Sequence, residues 1–275
     1  MKELYIPDGM EVEQALSRTT DLCIAAHQDD IEIMAYAPIV QCFGKRDRYF
    51  TGVCVTDGAG SPRSGIYESY SDEDMKQVRA EEQKQAALIG RYSAQYLLAQ
   101  PSSAVKNSNS PALVSELREI ILACEPEVIY THNLADKHDT HVAVALQVIR
   151  AIKGIPAEKC PKKLIAMEVW RSLDWLCDED KVAQNTSAHP NIAAALLGVY
   201  DSQITGGKRY DLAAIGRRLS NATFFASHDV DETDSLAFGL DMTDLIDKDL
   251  DPEEFIQNYI QKFSADVSAR IRSLS

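Results

Sequence analysis

Two short clusters of histidine and aspartate could hold a metal ion. The first, HQDD at positions 27–30, follows an apolar run at 22–26, and the second, HDTH at positions 138–141, follows a short apolar run at 128–130. Two histidines and one carboxylate form a ligand set that leaves a fourth position for water, which is typical of catalytic rather than structural zinc. A bound ion would also offset the cost of placing these polar groups at the edge of an apolar core.

Simpler interpretations of the same residues remain open from the sequence. Asp29 or Asp30 could cap a helix that begins beside them. A histidine in a polar loop is most often only a solvated side chain. His132, which ends the strand before the second cluster, is interpreted as structural.

A glycine-containing segment, TDGAG at 56–60, follows another apolar run. It predicts either a plain turn or a substrate contact made by Asp57. It does not fit a phosphate-cradling loop, because Arg63 stands where the pattern GxGxxG requires its last glycine. A dinucleotide-dependent oxidoreductase is therefore not favoured.

Alternating strands and helices position these segments. Apolar runs predict five strands, and helical periodicity with capping signals predicts seven helices. The predicted strands are Asp21–Ala26, Tyr49–Thr56, Ala94–Ala99, Glu127–His132 and Leu164–Trp170. The predicted helices are Ile31–Gly44, Asp72–Gly90, Pro111–Cys124, His141–Lys153, Asn191–Val199, Tyr210–Leu219 and a C-terminal helix at about 252–273. This alternation predicts an α/β, Rossmann-like three-layer fold in which helices flank a mostly parallel sheet. Ligands bind such sheets outside the carboxyl ends of the strands.

Three polar stretches are predicted as loops. Ser102–Ser110 and Asp178–Pro190 carry no helical or strand pattern. Ser61–Asp74 is long for a compact domain, and such loops are often active-site lids.

Composition narrows the class of protein. The 275 residues are predicted to form one domain over 1–275, and the formal net charge of −14 argues against nucleic acid as a partner. The six scattered cysteines are interpreted as reduced thiols of a cytoplasmic protein. The N-terminus lacks the apolar stretch of a signal peptide, and no apolar stretch is long enough for a membrane span. The sequence leaves a homo-oligomer open.

Three motifs together resemble the PIG-L/LmbE-like superfamily of metal-dependent de-N-acetylases. AAHQDDIEIMAYAPI at 25–39 resembles the AHxDDxE signature, VRAEEQKQAALIG at 78–90 resembles an RxEE-type helix, and HDTHVAVALQVI at 138–149 resembles the HPDHRAV motif. They occur in the family's order within residues 20–153, and the C-terminal half carries no motif that maps onto the family.

The resemblance implies a role for each matching residue. His27, Asp30 and His141 match the ligands of Zn²⁺ or another divalent metal. Asp29 matches the general base, and His138 matches the histidine that assists at the reacting carbonyl. The resemblance also implies that a matching arginine lines the site for substrate, which is Arg79 here.

The resemblance also implies the reaction. Family members remove N-acetyl groups from N-acetylglucosamine derivatives, so the expected activity is hydrolysis of an N-acetylated sugar by metal-activated water. Two alternatives remain: a hydrolase of another small amide, and a non-catalytic sugar or nucleotide-sugar binding module with a remnant metal site. Asp29 speaks against the second, because a binding module needs no base.

Two positions depart from the family pattern. Gln28 replaces the commoner proline, which a turn accommodates. Thr140 stands where the family often has an aspartate that orients the preceding histidine, and Asp139 is the neighbouring candidate for that role.

Overall fold

The computed structural model describes residues 2–107 and 111–275. Its strands join one eight-stranded sheet in the order β1-β4-β3-β2-β5-β6-β8-β7. The strands are β1 (Glu3–Tyr5), β2 (Asp21–Ala25), β3 (Phe50–Thr56), β4 (Ala94–Gln100), β5 (Val128–His132), β6 (Lys163–Met167), β7 (Lys181–Asn185) and β8 (Leu236–Asp241).

Helices cover both faces of this sheet. They are α1 (Val12–Ser17), α2 (Asp30–Met34), α3 (Tyr36–Cys42), α4 (Asp72–Ile89), α5 (Ser102–Val105), α6 (Pro111–Cys124), α7 (Asp139–Lys153), α8 (Pro190–Gly198), α9 (Asp201–Ile204), α10 (Tyr210–Phe224), α11 (Asp244–Asp247) and α12 (Pro252–Leu274). Among the described residues, none of these helices is long and apolar enough to cross a membrane.

The five central strands, which are β4, β3, β2, β5 and β6, pair in parallel. The three outer strands, β1, β8 and β7, each pair antiparallel with their neighbours. The mostly parallel α/β fold predicted from the sequence is therefore confirmed. Each of the five predicted strands is present, although the last ends at Met167 rather than Trp170. A single sheet that runs from β1 to β8 also favours the predicted single domain.

Both faces of β2 are buried, which its continuous apolar sequence requires. Leu22 and Ile24 pack into one apolar layer together with α6 and α7. Cys23 and Ala25 point to the opposite layer, which α2, α3 and α8 cover. Because side chains alternate along a strand, a strand with an apolar residue at every position belongs between two layers of helices.

The antiparallel edge is where the sequence-based assignment fails. The prediction of a loop over Asp178–Pro190 is wrong for residues 181–185, which form β7 and pair with β8. The strands β1 and β8 were not predicted at all. The edge strand β7 is only partly buried, so its residues lack the apolar pattern that marks a central strand.

Two other predicted segments differ locally. The predicted helix Ile31–Gly44 is two helices, α2 and α3, that meet at Ala35. Pro38 has no backbone N–H, so it fits the first turn of a new helix better than the middle of a longer one. Within the predicted loop Ser102–Ser110, α5 forms one short turn, and residues 108–110 lie outside the described residues.

Candidate metal and catalytic site

The candidate site lies where the direction of strand addition reverses. From β2 the chain adds β3 and β4 on one side, and it then returns to place β5 on the other side. The loops that leave β2 and β5 therefore diverge at the carboxyl edge, and they open a crevice of the kind in which α/β proteins bind ligands. His27 follows β2, and His138 and His141 follow β5.

The three predicted ligand atoms meet in this crevice. His27 Nδ1 lies 3.2 Å from Asp30 Oδ2 and 3.2 Å from His141 Nε2, and His141 Nε2 lies 3.3 Å from Asp30 Oδ2. Three ligands about 2.1 Å from one tetrahedral ion would lie about 3.4 Å from one another. The donor set and its spacing thus fit a zinc-like ion, although imidazole and carboxylate also accept other divalent metals.

Two further compact donor groups share His141 with the predicted ligand set. His27, His138 and His141 form one, and Asp30, His132 and His141 form the other. The second group is a weaker candidate for a metal site, because His132 Nε2 already accepts the Ala26 N–H at 2.8 Å. The pKa of His132 is held well below its usual value by burial and by the neighbouring His141. The ring is therefore neutral, and its contacts agree with the structural interpretation.

Local backbone geometry fixes Asp30. The His27 N–H donates to Asp30 Oδ2 at 2.8 Å, so the turn from strand to helix closes on the carboxylate. Asp30 is the first residue of α2. Although burial raises its pKa, the imidazoles of His141, His27 and His132 together lower the pKa well below its usual value. A carboxylate that stays ionised in a buried site is ready to bind a cation.

His141 is oriented by groups on its far side. Its ring stacks on His132 with centroids 3.9 Å apart, and its Nδ1 lies 3.6 Å from Asp136 Oδ2. Although burial opposes it, the carboxylates of Asp30 and Asp136 raise the pKa of His141 to about 9. A metal must displace that proton, so metal affinity should fall at low pH.

Asp136 is held by the backbone and was not predicted from the sequence. Its Oδ1 accepts the His138 N–H at 2.9 Å, and its Oδ2 accepts the Trp170 N–H at 3.1 Å. A carboxylate behind a ligand histidine fixes the ring and its tautomer in many metal sites. Asp136 belongs to no sequence motif. Its contact with Trp170 depends on how the loop after β6 packs against the loop after β5.

Asp29 lines the same crevice as the predicted ligands His27 and Asp30, and its carboxylate contacts Arg79. Asp29 Oδ2 accepts a hydrogen bond from Arg79 Nη2 at 3.1 Å, and the side chain makes no capping bond to α2. Burial raises the pKa of Asp29 to about 6, although Arg79 opposes this shift and Asp30 adds to it. The helix-cap interpretation of Asp29 is therefore not supported, and the side chain has the acidity of a general base.

Arg79 is a buried residue and not a surface charge. Its side chain is only 2% exposed, and it also donates to the carbonyl oxygen of Gln28 and to Glu82. Glu82 in turn accepts from the N–H and hydroxyl of Ser202. Arg79 thus lies on α4 beneath the loop after β2, and its bonds to Gln28 and Glu82 hold the guanidinium against Asp29.

His138 caps α7 and keeps one nitrogen toward the crevice. Its Nδ1 accepts the Thr140 N–H at 3.3 Å, so Nε2 carries the proton in the neutral ring. Burial and the nearby His141 lower the pKa of His138. Asp139 is exposed. The group that orients His138 is therefore the backbone N–H of Thr140, and not the side chain of Asp139 or of Thr140.

Asp57 lies beside the site but not in it. Its Oδ1 accepts the Ala59 N–H at 3.2 Å, and its Oδ2 lies 3.6 Å from Lys76 Nζ. Gly58 has a φ of +73°, and a Cβ there would lie 3.0 Å from the Arg79 side chain, so the turn requires glycine. These are the contacts of a tight turn, and the substrate role of Asp57 stays a prediction.

The crevice opens into a cavity of about 610 Å³. His27, Asp29, Asp30, Arg79 and His138 line its floor. Ser61 and Pro62 of the predicted lid loop contribute to the walls. The other wall residues were not assigned to the site from the sequence: Lys106, Lys137, Trp170, Lys208, Tyr210 and Arg217. A polar floor under partly aromatic walls is a usual composition for a small-molecule site.

A buried hydrogen-bond network supports the floor. Glu32 accepts from the hydroxyls of Tyr92 at 2.7 Å and Tyr200 at 2.5 Å, and from the amide of Gln83 at 3.0 Å. Gln83 Oε1 also accepts the Asp29 N–H at 3.4 Å. Asp29 has a φ of +89°, which is unfavourable for a side chain other than glycine. The network helps to hold this residue in its strained conformation.

The fold and the site define an α/β protein with a candidate metal centre at the carboxyl edge of its sheet. Residues 22–152 match the family model described as PIG-L: GlcNAc-PI de-N-acetylase. The chain therefore carries a PIG-L family domain over these residues, and the resemblance predicted from the three motifs is confirmed. Among curated proteins, no sequence matches the chain.

Solved structures share the fold at low sequence identity. N,N'-diacetylchitobiose deacetylase from Pyrococcus horikoshii is 14% identical, covers 84% of this chain and 86% of its own, and has a TM-score of 0.66. The zinc-inhibited form of teicoplanin deacetylase Orf2 is 14% identical over 81% of this chain and 97% of its own, with a TM-score of 0.56.

One structural neighbour has a different activity. GalB, the 4-carboxy-2-hydroxymuconate hydratase from Pseudomonas putida, is 16% identical, covers 82% of this chain and 96% of its own, and has a TM-score of 0.63. Since deacetylases and a hydratase share the fold, the reaction must be argued from the site.

Proposed function

We propose that this protein is a metal-dependent hydrolase that removes the N-acetyl group from an N-acetylglucosamine-type sugar derivative. The observation that carries the proposal is the meeting of His27, Asp30 and His141 beside Asp29, which is a buried carboxylate outside the ligand set. The PIG-L family domain and the deacetylases among the structural neighbours support the same reaction.

His27, Asp30 and His141 would hold the ion, and the fourth side of the set faces the cavity. When bound, a divalent metal acidifies a coordinated water and polarises an acyl carbonyl. Asp136 and His132 would keep the ring of His141 in place during turnover, since one faces its Nδ1 and the other stacks on its ring.

Asp29 would accept the proton of the attacking water. Its pKa of about 6 leaves it ionised at neutral pH yet basic enough to take a proton. The hydrogen bond from Arg79 and the backbone bond to Gln83 hold the carboxylate in one orientation. Asp29 or His138 would afterwards protonate the departing amine.

His138 would donate a hydrogen bond to the oxyanion as it forms. Because Thr140 N–H occupies Nδ1, the neutral ring presents Nε2–H to the cavity and needs no extra proton for this task. A fixed donor in a site that excludes water stabilises developing negative charge strongly.

Two measurements on the purified protein test the proposal. The first is metal content, for which we expect about one divalent ion per chain. The second is acetate release from a panel of N-acetylated sugars and of small non-sugar acetamides. A protein that binds metal and sugars without releasing acetate would be a non-catalytic binding module. Acetate release only from a non-sugar amide would make it a hydrolase of another small amide. Either result would overturn the proposal.

A further inference from the structure

The walls of the cavity carry four basic side chains, although the whole chain is strongly acidic. Lys106, Lys137, Lys208 and Arg217 line the cavity beside the floor residues, whereas the formal net charge of the chain is −14. They come from four separate segments, between β4 and α6, between β5 and α7, between α9 and α10, and from α10 itself. The fold therefore brings together cations that no sequence motif links.

Two of these cations lie over one aromatic ring, and a third is bound to the residue before it. Lys137 Nζ lies 5.8 Å and Lys208 Nζ 5.4 Å from the centroid of the Trp170 ring. Arg217 donates to the carbonyl oxygen of Val169, the residue before Trp170. The same indole lies 6.3 Å from the ring of His138, so this basic cluster borders the reacting end of the cavity.

The carboxylates of the floor do not account for the cluster. Asp29 pairs with Arg79, and Asp30 faces the ligand histidines. Elsewhere on the surface, basic side chains often pair with acids, as Lys162 does with Glu127. Within residues 2–107 and 111–275, no such ion pair is formed by Lys106, Lys137, Lys208 or Arg217. Cations that gather around a cavity in this way repel one another, and a bound anion would relieve that repulsion.

We propose that the natural substrate carries an anionic group, a phosphate or a carboxylate, and that the basic cluster of Lys137, Lys208 and Arg217 beside Trp170 binds it, with Lys106 as a further cation of the cavity lining. This inference rests on the proposed deacetylase function and adds the chemical class of its substrate. The acetamide would lie over His27, Asp30 and His141, and the anion against the indole. Because the overall charge repels anions, a local basic cluster is what would draw such a substrate to the cavity.

The test compares matched substrates and matched variants. Acetate release is measured from three probes: the neutral methyl glycoside of N-acetylglucosamine, N-acetylglucosamine 1-phosphate and N-acetylmuramic acid, which carries a carboxylate. We expect kcat/KM to be at least tenfold higher for one anionic probe than for the neutral one, and we expect added salt to reduce this ratio. The two anionic probes distinguish phosphate from carboxylate.

The double variant Lys137→Gln, Lys208→Gln should lower the ratio about tenfold. Both side chains are exposed, so the fold should tolerate the change. Lys163→Gln is the control, because Lys163 is an exposed lysine at the opposite edge of the sheet. It changes the net charge away from the cavity, and it should leave the ratio unchanged.

Binding of the two anionic probes, measured by calorimetry, separates this inference from the function on which it rests. Anion binding that the double variant loses and the control keeps supports the basic cluster even if no probe releases acetate, in which case the deacetylase proposal alone fails. Equal kcat/KM for the neutral and anionic probes, or a ratio that the double variant leaves unchanged, overturns the inference while deacetylation stands.

Discussion

Asp29→Asn separates a catalytic base from a structural side chain. Asparagine has nearly the same shape and is among the residues that best tolerate a positive φ, so it suits the φ of +89° at this position. Its amide oxygen can still accept from Arg79, and the backbone bond to Gln83 is unaffected. The variant should therefore fold, keep its metal and bind substrate.

The expected loss is confined to catalysis. A positioned proton acceptor contributes about 10² to 10⁴ in rate, so kcat should fall by that factor, or roughly 3–5 kcal/mol in activation free energy. The base acts only when ionised, and its pKa is about 6. The rate of the wild type should therefore rise as the pH increases through about 6, and this acid limb should be absent from the variant.

The assay is acetate release across pH 5–8 together with metal content, with Asp139→Asn as the control. Asp139 is an exposed aspartate in the other cluster, so the control should match the wild type. An Asp29→Asn variant with full kcat and an unchanged pH profile would refute the assignment of the base.

Three further changes test the rest of the site. His141→Ala should purify folded but largely free of metal, whereas the exposed His228→Ala should retain it; full metal content in the first variant would remove His141 from the ligand set. Arg79→Ala should lower kcat/KM at least tenfold and cost about 3–5 kcal/mol of stability, because it leaves Glu82 buried without its cation; unchanged kinetics and unchanged urea unfolding would contradict both roles. Burial raises the pKa of Glu32 from 4.5 to about 7. The protonated carboxyl therefore contributes fully to the free energy of unfolding below pH 4.5, and this contribution is lost as the pH rises through 7. Between pH 5 and 8 the free energy of unfolding of the wild type should fall by roughly 3 kcal/mol more than that of Glu32→Gln. An equal fall in the two proteins would contradict the raised pKa of Glu32.

The parallel core could be predicted because its strands are buried on both faces. In β2 four of the five residues are apolar, and β5 begins with the apolar run Val-Ile-Tyr, so the assignment follows from the sequence alone. The outer strands resist this reasoning, since β7 is partly exposed and β8 contains Gly239 in close contact with Ile165 and Met167. Their pairing depends on neighbours that the local pattern does not specify.

The candidate site divides in the same way. The proposed ligand and base residues lie in motifs that are each contiguous in the chain, so the sequence could name them as candidates, and the structure brings their side chains together. Asp136, Trp170 and Lys208 reach the site only through the loops after β5, β6 and α9. Their roles come from tertiary position, and a single sequence carries no signal for it.

The two adjacent aspartates show how backbone geometry assigns different chemistry to identical side chains. Asp30 lies in the first turn of α2 and faces two imidazoles, which hold its pKa well below the usual range. Asp29, one residue earlier, has a φ of +89° and is buried beside Arg79 with fewer charges that favour its ionised form, and burial raises its pKa to about 6. Paired acids whose surroundings push their pKa values apart are the arrangement in which one stays ionised and the other exchanges protons. The two carboxylates differ in their neighbours, since Asp29 contacts Arg79 and Asp30 contacts imidazoles, and the network around Glu32 and Gln83 supports the strained backbone of Asp29.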